Sequence, residues 1–242
     1  IGGLYDPLDG HLDPSGTTRA YAMCARKLGA EIYLRNQVLE LNHQTDGSWQ
    51  VVTKDGTINA EYVVNAGGLW ARELGEMVGI FLPLHPMEHQ YLITEDIPEI
   101  YDLGREHPHV MDPEGESYLR QEGRGLCIGF YEQECDPWAV NGTPLDFGHE
   151  LLPNKLDRIG DSMEFAFNRF PVLEKAGIKN VINGPFTFAP DGNPLVGPVP
   201  GLKNYWSACA VMAGFSQGGG VGLTLAEWMI EGEPSRDVFA MD

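Results

Sequence analysis

Three turns rich in small residues and a handful of strand side chains carry the chemical content of the sequence. The densest is Ala213-Gly214-Phe215-Ser216-Gln217-Gly218-Gly219-Gly220-Val221-Gly222. So many glycines cost chain entropy, which points to backbone held close to a planar or anionic ligand. A helix starting just beyond it, over Val221 to Ile230, would aim free N–H groups at that ligand. An ordinary flexible turn competes with this reading, and the residues alone leave the two balanced. The second turn, Asn65-Ala66-Gly67-Gly68, joins an apolar strand to a helix; by itself it speaks more for close packing than for a ligand. The third, Phe188 to Pro198, contains Pro190-Asp191-Gly192, which favours a tight turn. A plain β-turn needs no ligand. No G-x-G-x-x-G follows a strand, so that dinucleotide fingerprint is absent from these residues.

His89 opens a strand after Pro86-Met87-Glu88. A histidine can tune the protonation of an amine or hydrogen-bond a carboxylate near neutral pH. Taken alone, a structural histidine at a strand start is the commoner case. Tyr118 and Arg120 share another strand. A phenol can orient an amine or carboxylate, and a guanidinium can bind a carboxylate bidentately. Half-buried tyrosines and exposed arginines are equally ordinary in strands. His85 and Tyr91 are lesser candidates. Tyr101, Tyr118, Phe130, Tyr131 and Trp138 would suit a cage for a methylated ammonium, although most such aromatics serve a core or a surface. Cys24, Cys127, Cys135 and Cys209 form no CxxC pair and fit no zinc spacing, so no metal is expected. Cys24 and Cys209 lie in apolar runs as small core residues.

The elements that must position these groups follow from periodicity. Apolar spacing predicts helices over Thr17–Leu28, Trp70–Val78, Asn154–Arg169 and Val221–Ile230. Strands are predicted at Glu31–Leu34, Val38–Asn42, Trp49–Thr53, Glu61–Asn65, Gln90–Thr94 and Asn204–Val211. Ser117–Gln121 and Leu126–Phe130 make a hairpin around Gly123-Arg124-Gly125. The texture changes near Pro83 and again near Val181. This divides the chain into an α/β lobe at 1–82, a β-rich insert at 83–183 and a return to the first lobe at 184–242.

Composition narrows the function. The 242 residues carry 16 Lys+Arg against 35 Asp+Glu, a formal net charge of -19. Such acidity argues against nucleic acid and against an anionic membrane surface, because both need cationic neutralisation. No stretch reaches the roughly 18 apolar residues of a spanning helix. Cysteine usage suits a reducing compartment. The opening Ile1-Gly2-Gly3-Leu4-Tyr5 reads like the interior of a longer protein.

Taken in order, the motifs resemble the D-amino-acid-oxidase-like FAD superfamily. They are Val63-Val64-Asn65-Ala66-Gly67-Gly68-Leu69-Trp70-Ala71, His89-Gln90-Tyr91, Pro190-Asp191-Gly192-Asn193-Pro194-Leu195-Val196-Gly197 and Ala213 to Gly220. Within it the match is closest to dimethylglycine and sarcosine dehydrogenases, through Gly2 to Tyr5, Asp9 to Pro14, Tyr118 to Glu122 and Ala226 to Gly232. The resemblance covers essentially the whole chain and is specific as a set. It implies an α/β (α+β) FAD-binding lobe without its N-terminal Rossmann half, carrying an inserted antiparallel substrate lobe. FAD would be held by Val38, Ala66, Gly67, Gly68 and Trp70, by Asp191 and Gly192, and by Gly214, Phe215, Ser216, Gln217, Gly218 and Gly219. His89 and Tyr118 would be catalytic; Tyr91 and Arg120 would bind substrate. Val221 stands where related amine oxidases often have a basic residue, so carboxylate recognition must come from elsewhere.

The implied reaction is hydride transfer from an N-methylated amino acid, such as dimethylglycine or sarcosine, to flavin. The implied partners are a small amine, the preceding Rossmann half and a following domain that takes tetrahydrofolate. The implied location is the bacterial cytoplasm or the mitochondrial matrix. Two alternatives stand beside it: a non-catalytic packing lobe, and a flavoenzyme for another amine or a D-amino acid.

Overall fold

A computed structural model describes residues 2–241. In chain order the elements begin with helix α1 (Pro14–Lys27), then strands β1 (Val38–His43), β2 (Trp49–Thr53), β3 (Gly56–Ala60) and β4 (Val63–Asn65). Helix α2 (Ala71–Glu76), strand β5 (His85–Thr94), helix α3 (Pro98–Tyr101) and strands β6 (Val110–Asp112), β7 (Ser117–Glu122) and β8 (Gly125–Phe130) follow. Helix α4 (Gly160–Arg169), strands β9 (Ile178–Phe188), β10 (Leu195–Pro198) and β11 (Tyr205–Cys209) and helix α5 (Gly214–Glu231) complete the series.

The chain forms two compact units. The first comprises Ile1–Thr17, Glu88–Asp136 and His149–Pro185; the second comprises Thr18–Met87, Pro137–Gly148 and Phe186–Asp242.

The first unit is built on a five-stranded sheet in the order β6-β7-β8-β5-β9. Strand side chains alternate between faces, and here the alternation separates core from site. Leu92, Leu119, Leu126, Ile128 and Phe130 point to one face and pack with Ile159, Ala166 and Leu173 from α4 and its flanking turns. The other face presents His89, Tyr91, Tyr118 and Arg120, all partly exposed. A two-residue turn at Gly123-Arg124 closes the β7–β8 hairpin, with Gly123 at φ +58°. At one end of this sheet Glu88 accepts hydrogen bonds from Lys155 Nζ at 2.7 Å and Asn183 Nδ2 at 2.8 Å, tying β5 to β9.

The second unit holds an antiparallel meander β1-β2-β3 and a sheet β10-β11-β4. In the latter, β11 runs antiparallel to β10 and parallel to β4. Trp49 and Tyr205 are fully buried between the meander and β11. Val221 and Leu225 of α5 pack on Val196 and Trp206, with Trp228 half-buried beside them. Gly197 of β10, at φ +146°, lies under the Trp228 indole, where a methyl would come within 2.9 Å.

Several expectations shift. Glu31–Leu34 is not a strand: Tyr33 and Leu34 are exposed and no strand pairs with them, and an extended segment without a partner has no ladder to stabilise it. Cys24 is exposed on α1, whereas Cys209 is buried. β5 starts earlier, at His85, and β11 is shorter, bounded by Asn204 and Ala210 at φ +60° and +52°, which break the extended run. Asn154–Arg169 splits into a short 3-10 turn and α4. The largest change concerns the glycine-rich segment, which is the first two turns of α5 rather than a loop before it.

Candidate functional site

In the second unit, Asn65 organises the β4–α2 turn. Its buried side chain accepts from Gly67 N at 3.0 Å and donates to Ala71 O at 2.9 Å. Gly67 is glycine for packing, since a methyl would meet Leu74 Cδ1 at 2.6 Å. Gly68 takes φ +55°, which a side chain would resist, and Ala66 is exposed beside it. Trp70 is held by its indole N–H, which donates to Pro144 O at 2.9 Å. Val38, Gly67 and Trp70 line one cleft of about 330 Å³ with Leu74, Met77 and Phe147. This gathers three of the predicted cofactor residues around an apolar slot of the kind that takes a flat ring. Leu74, Met77 and Phe147 were not foreseen; nothing in their spacing marks them apart from core.

The other predicted cofactor residues lie on exposed backbone. Asp191 accepts from Asn193 N at 3.0 Å, and that bond holds its carboxyl below the usual carboxylate range. Gly192 follows at φ +75°. Helix α5 opens at Gly214 behind Ala213, with no capping side chain and no acid in its first turn. A methyl at Gly214, Gly218 or Gly220 would meet nothing within 4 Å, so these positions leave bare backbone facing open space. Phe215 and Ser216 are exposed and Gln217 is half-buried; Ser216 Oγ donates to Ala213 O at 2.9 Å. Gly219 differs, because Tyr21 Oη lies 2.9 Å from where its methyl would stand. A protein of net charge -19 that keeps an 18-residue helix free of acid at its positive end has a surface suited to an anionic group. These features fit a flavin, whose reduced ring carries negative charge at its N1–C2=O edge. Among the described residues no group of His, Cys, Asp or Glu could hold a metal ion.

In the first unit, the strand register brings the predicted reactive groups onto one face. Tyr118 of β7 and Tyr91 of β5 both pair with Gly129 of β8, and Arg120 pairs with Cys127. The His89 imidazole stacks on Tyr131, with ring centroids 5.0 Å apart and planes at 25°. Tyr131 lies 5.8 Å from Tyr118, and His109 meets the Tyr118 edge at 5.8 Å. The result is a run of four rings: His89, Tyr131, Tyr118 and His109.

Burial holds the His89 imidazole down to about 4, so it is neutral at pH 7. Burial, followed by the neighbouring Cys127, Tyr131 and Tyr91, pushes the Tyr118 phenol well above its usual value. Burial likewise raises Tyr91 and Tyr131, and takes the Cys127 thiol up to about 11. The face therefore offers neutral, electron-rich rings and hydroxyl donors. Arg120 is paired with Glu122 at 2.5 Å, so any carboxylate it receives competes with that partner. His85 belongs elsewhere, hydrogen-bonded to Arg72 at 3.0 Å in the second unit. Of the wider aromatic set, Tyr131 joins this face. Tyr101 lies under Arg124, Phe130 is core, and Trp138 packs on Phe147. His109 was not foreseen, for it sits in a loop with no periodic pattern.

A family profile described as FAD dependent oxidoreductase matches residues 1–228, and the chain belongs to that family. It is 46% identical over its whole length to mouse dimethylglycine dehydrogenase, mitochondrial, of which it spans 28%. Mouse sarcosine dehydrogenase, mitochondrial, is 36% identical, again over the whole chain and 26% of that protein. The mouse pyruvate dehydrogenase phosphatase regulatory subunit, mitochondrial, is 32% identical over the whole chain and 28% of its own length. Among solved structures, L-proline dehydrogenase from P. horikoshii superposes with a TM-score of 0.79 at 27% identity, covering 98% of this chain and 60% of that one. The D-amino-acid-oxidase-like fold expected from the motifs is thus the observed fold, and the chain spans little more than a quarter of each of these three mitochondrial relatives.

Proposed function

We propose that this chain is part of a flavoenzyme that oxidises an N-methylated amino acid, dimethylglycine or sarcosine, to its imine. The observation that carries the proposal is the neutral His89–Tyr131–Tyr118 face, together with 46% identity to a dimethylglycine dehydrogenase. FAD, when bound, accepts the hydride equivalent that leaves the N-methyl carbon. Val38, Gly67 and Trp70 supply an apolar slot for its flat adenosine end. The first turn of α5, with Asp191 and Gly192, supplies N–H groups and uncluttered backbone for the flavin ring.

The remaining work belongs to side chains of the first unit. A tertiary ammonium carries one N–H, and neutral His89 accepts a hydrogen bond from it on binding; that proton passes to solvent before the hydride leaves, because only the free amine has the lone pair that forms the C=N bond. An imidazole held near 4 has too little proton affinity to keep that proton at pH 7, so His89 orients the amine rather than storing its proton. The Tyr118 phenol stays protonated across the physiological range and donates a hydrogen bond to the substrate carboxylate. The faces of Tyr131 and Tyr118 receive the methyl groups, where cation–π attraction adds about 0.5–2 kcal/mol. Tyr91 and Arg120 border the same face. The imine then takes up water to release formaldehyde, or gives its one-carbon unit to tetrahydrofolate in a further domain. The longer protein supplies the Rossmann half, and the mitochondrial relatives favour the matrix as its location.

The test is product analysis on the full-length protein. Incubated with dimethylglycine and an electron acceptor, it releases formaldehyde and sarcosine in equal amounts. Flavin-loaded protein that yields neither product from dimethylglycine or sarcosine would overturn the proposal. That outcome would favour the packing-lobe reading, which the 32% identity to a regulatory subunit independently supports.

A further inference from the structure

Gly129 stands at the centre of the open face of the first unit, paired on one side with Tyr118 and on the other with Tyr91. Its φ is not positive, so conformational freedom does not explain a glycine there. Space does. A methyl on Gly129 would fall 2.1 Å from Cε1 and Cζ of Tyr118 and 2.4 Å from its hydroxyl oxygen, far inside the 3.4–4 Å of ordinary contact. The Cε1–Cζ–hydroxyl edge of the phenol therefore occupies the gap that the missing side chain leaves over β8. Tyr131 and His109 crowd the ring on two sides, each at 5.8 Å between centroids, so the ring has little room to slide.

We infer that Gly129 is a positioning residue: it is the seat that sets the height and tilt of the Tyr118 phenol and so decides where its hydroxyl meets the substrate. This rests on the reading of Tyr118 as a substrate-contacting group. Glycine at this position costs strand stability, because it has no side chain to pack and loses the most entropy on ordering. The seat for the ring is what offsets that cost. An alanine would lift or turn the ring by an ångström or more, and misplacement on that scale costs about 100-fold in rate.

The experiment uses the full-length, flavin-loaded protein with Gly129→Ala, Tyr118→Ala and the double variant. Crystal structures report the ring position, melting curves report folding, and kinetics with dimethylglycine report kcat and KM separately. Gly129→Ala is expected to displace the Tyr118 ring and lower kcat about 100-fold while retaining flavin. In the Tyr118→Ala background, the added methyl is expected to leave kcat unchanged and to leave the melting temperature level or slightly raised, because the ring it displaces is gone and alanine costs a strand less than glycine. A Tyr118 ring that keeps its place in the Gly129→Ala variant would overturn the inference. So would an equal loss from Gly129→Ala in the Tyr118→Ala background, since the methyl would then act elsewhere. If the wild-type protein oxidises no N-methyl amine, the functional proposal fails, while the ring positions and the melting-temperature cycle still decide whether Gly129 seats Tyr118.

Discussion

His89 links stability to pH with a definite sign. Its imidazole sits near 4 in the folded protein against 6.5 for an unperturbed histidine, because burial penalises the charged ring. Between those values the unfolded chain binds a proton that the folded chain refuses. The stabilisation from a neutral His89 is complete above pH 6.5 and drains away as pH falls toward 4, amounting to roughly 3 kcal/mol over the whole window. His89→Gln, which cannot titrate, is expected to flatten the fall in melting temperature between pH 7 and pH 5. An unchanged slope in the variant would contradict the neutral, buried imidazole. At this scale the sequence was partly readable. His89, Tyr118, Tyr91 and Arg120 stood out by type and by motif, and the register puts them on one face. Gly129 and His109 did not, because what matters in each is the ring it touches, and that contact crosses strands or loops.

Helix α5 shows what element boundaries hide. The run from Gly214 to Gly220 looks like a loop because glycine has poor helix propensity, about 1 kcal/mol below alanine per site. Tertiary packing overrides that: Val221, Thr224 and Leu225 are buried and carry the helix back to Gly214. Gly214 and Gly218, four residues apart, then lie on one helix face bare of side chains, with open space over both. This makes a trade-off measurable. Gly218→Ala is expected to raise the melting temperature of the flavin-free full-length protein, by up to about 1 kcal/mol of helix propensity. The same methyl is expected to weaken FAD binding about tenfold or more, where each tenfold is about 1.4 kcal/mol. A variant that gains stability and keeps its FAD affinity would show that this face does not lie against the cofactor. Turn chemistry was the most legible part of the elements: Gly123 and Gly192 both take positive φ where a hairpin turn and a tight turn were expected. Glu31–Leu34 was misread because strand propensity without a neighbouring strand fixes nothing.

At the scale of the molecule, the ordered motif set was enough for the family, which the profile match over residues 1–228 shows. Among the described residues no helix is long and apolar enough to cross a membrane. Helix α1 buries none of its side chains, and within the second unit Tyr21 and Met23 on it are exposed, as is Phe215. Apolar surface of this kind marks interaction sites, and the relatives are more than three times as long as the matched region. The proposed Rossmann half is the segment expected to cover it. The change of texture in the sequence divides the chain near Pro83 and Val181, whereas the two compact units divide it after Thr17, Met87, Asp136, Gly148 and Pro185. The path through residues 137–148 depends on contacts such as the Trp70 indole on Pro144 that leave no mark in local sequence.

Anaerobic titration of the flavin-loaded, full-length protein with dimethylglycine and with sarcosine, followed by visible absorbance, tests the amine-oxidation proposal most directly. Stoichiometric bleaching of the oxidised-flavin band near roughly 450 nm, slowed in His89→Ala, is the predicted result. A flavin band that both amines leave untouched would contradict it.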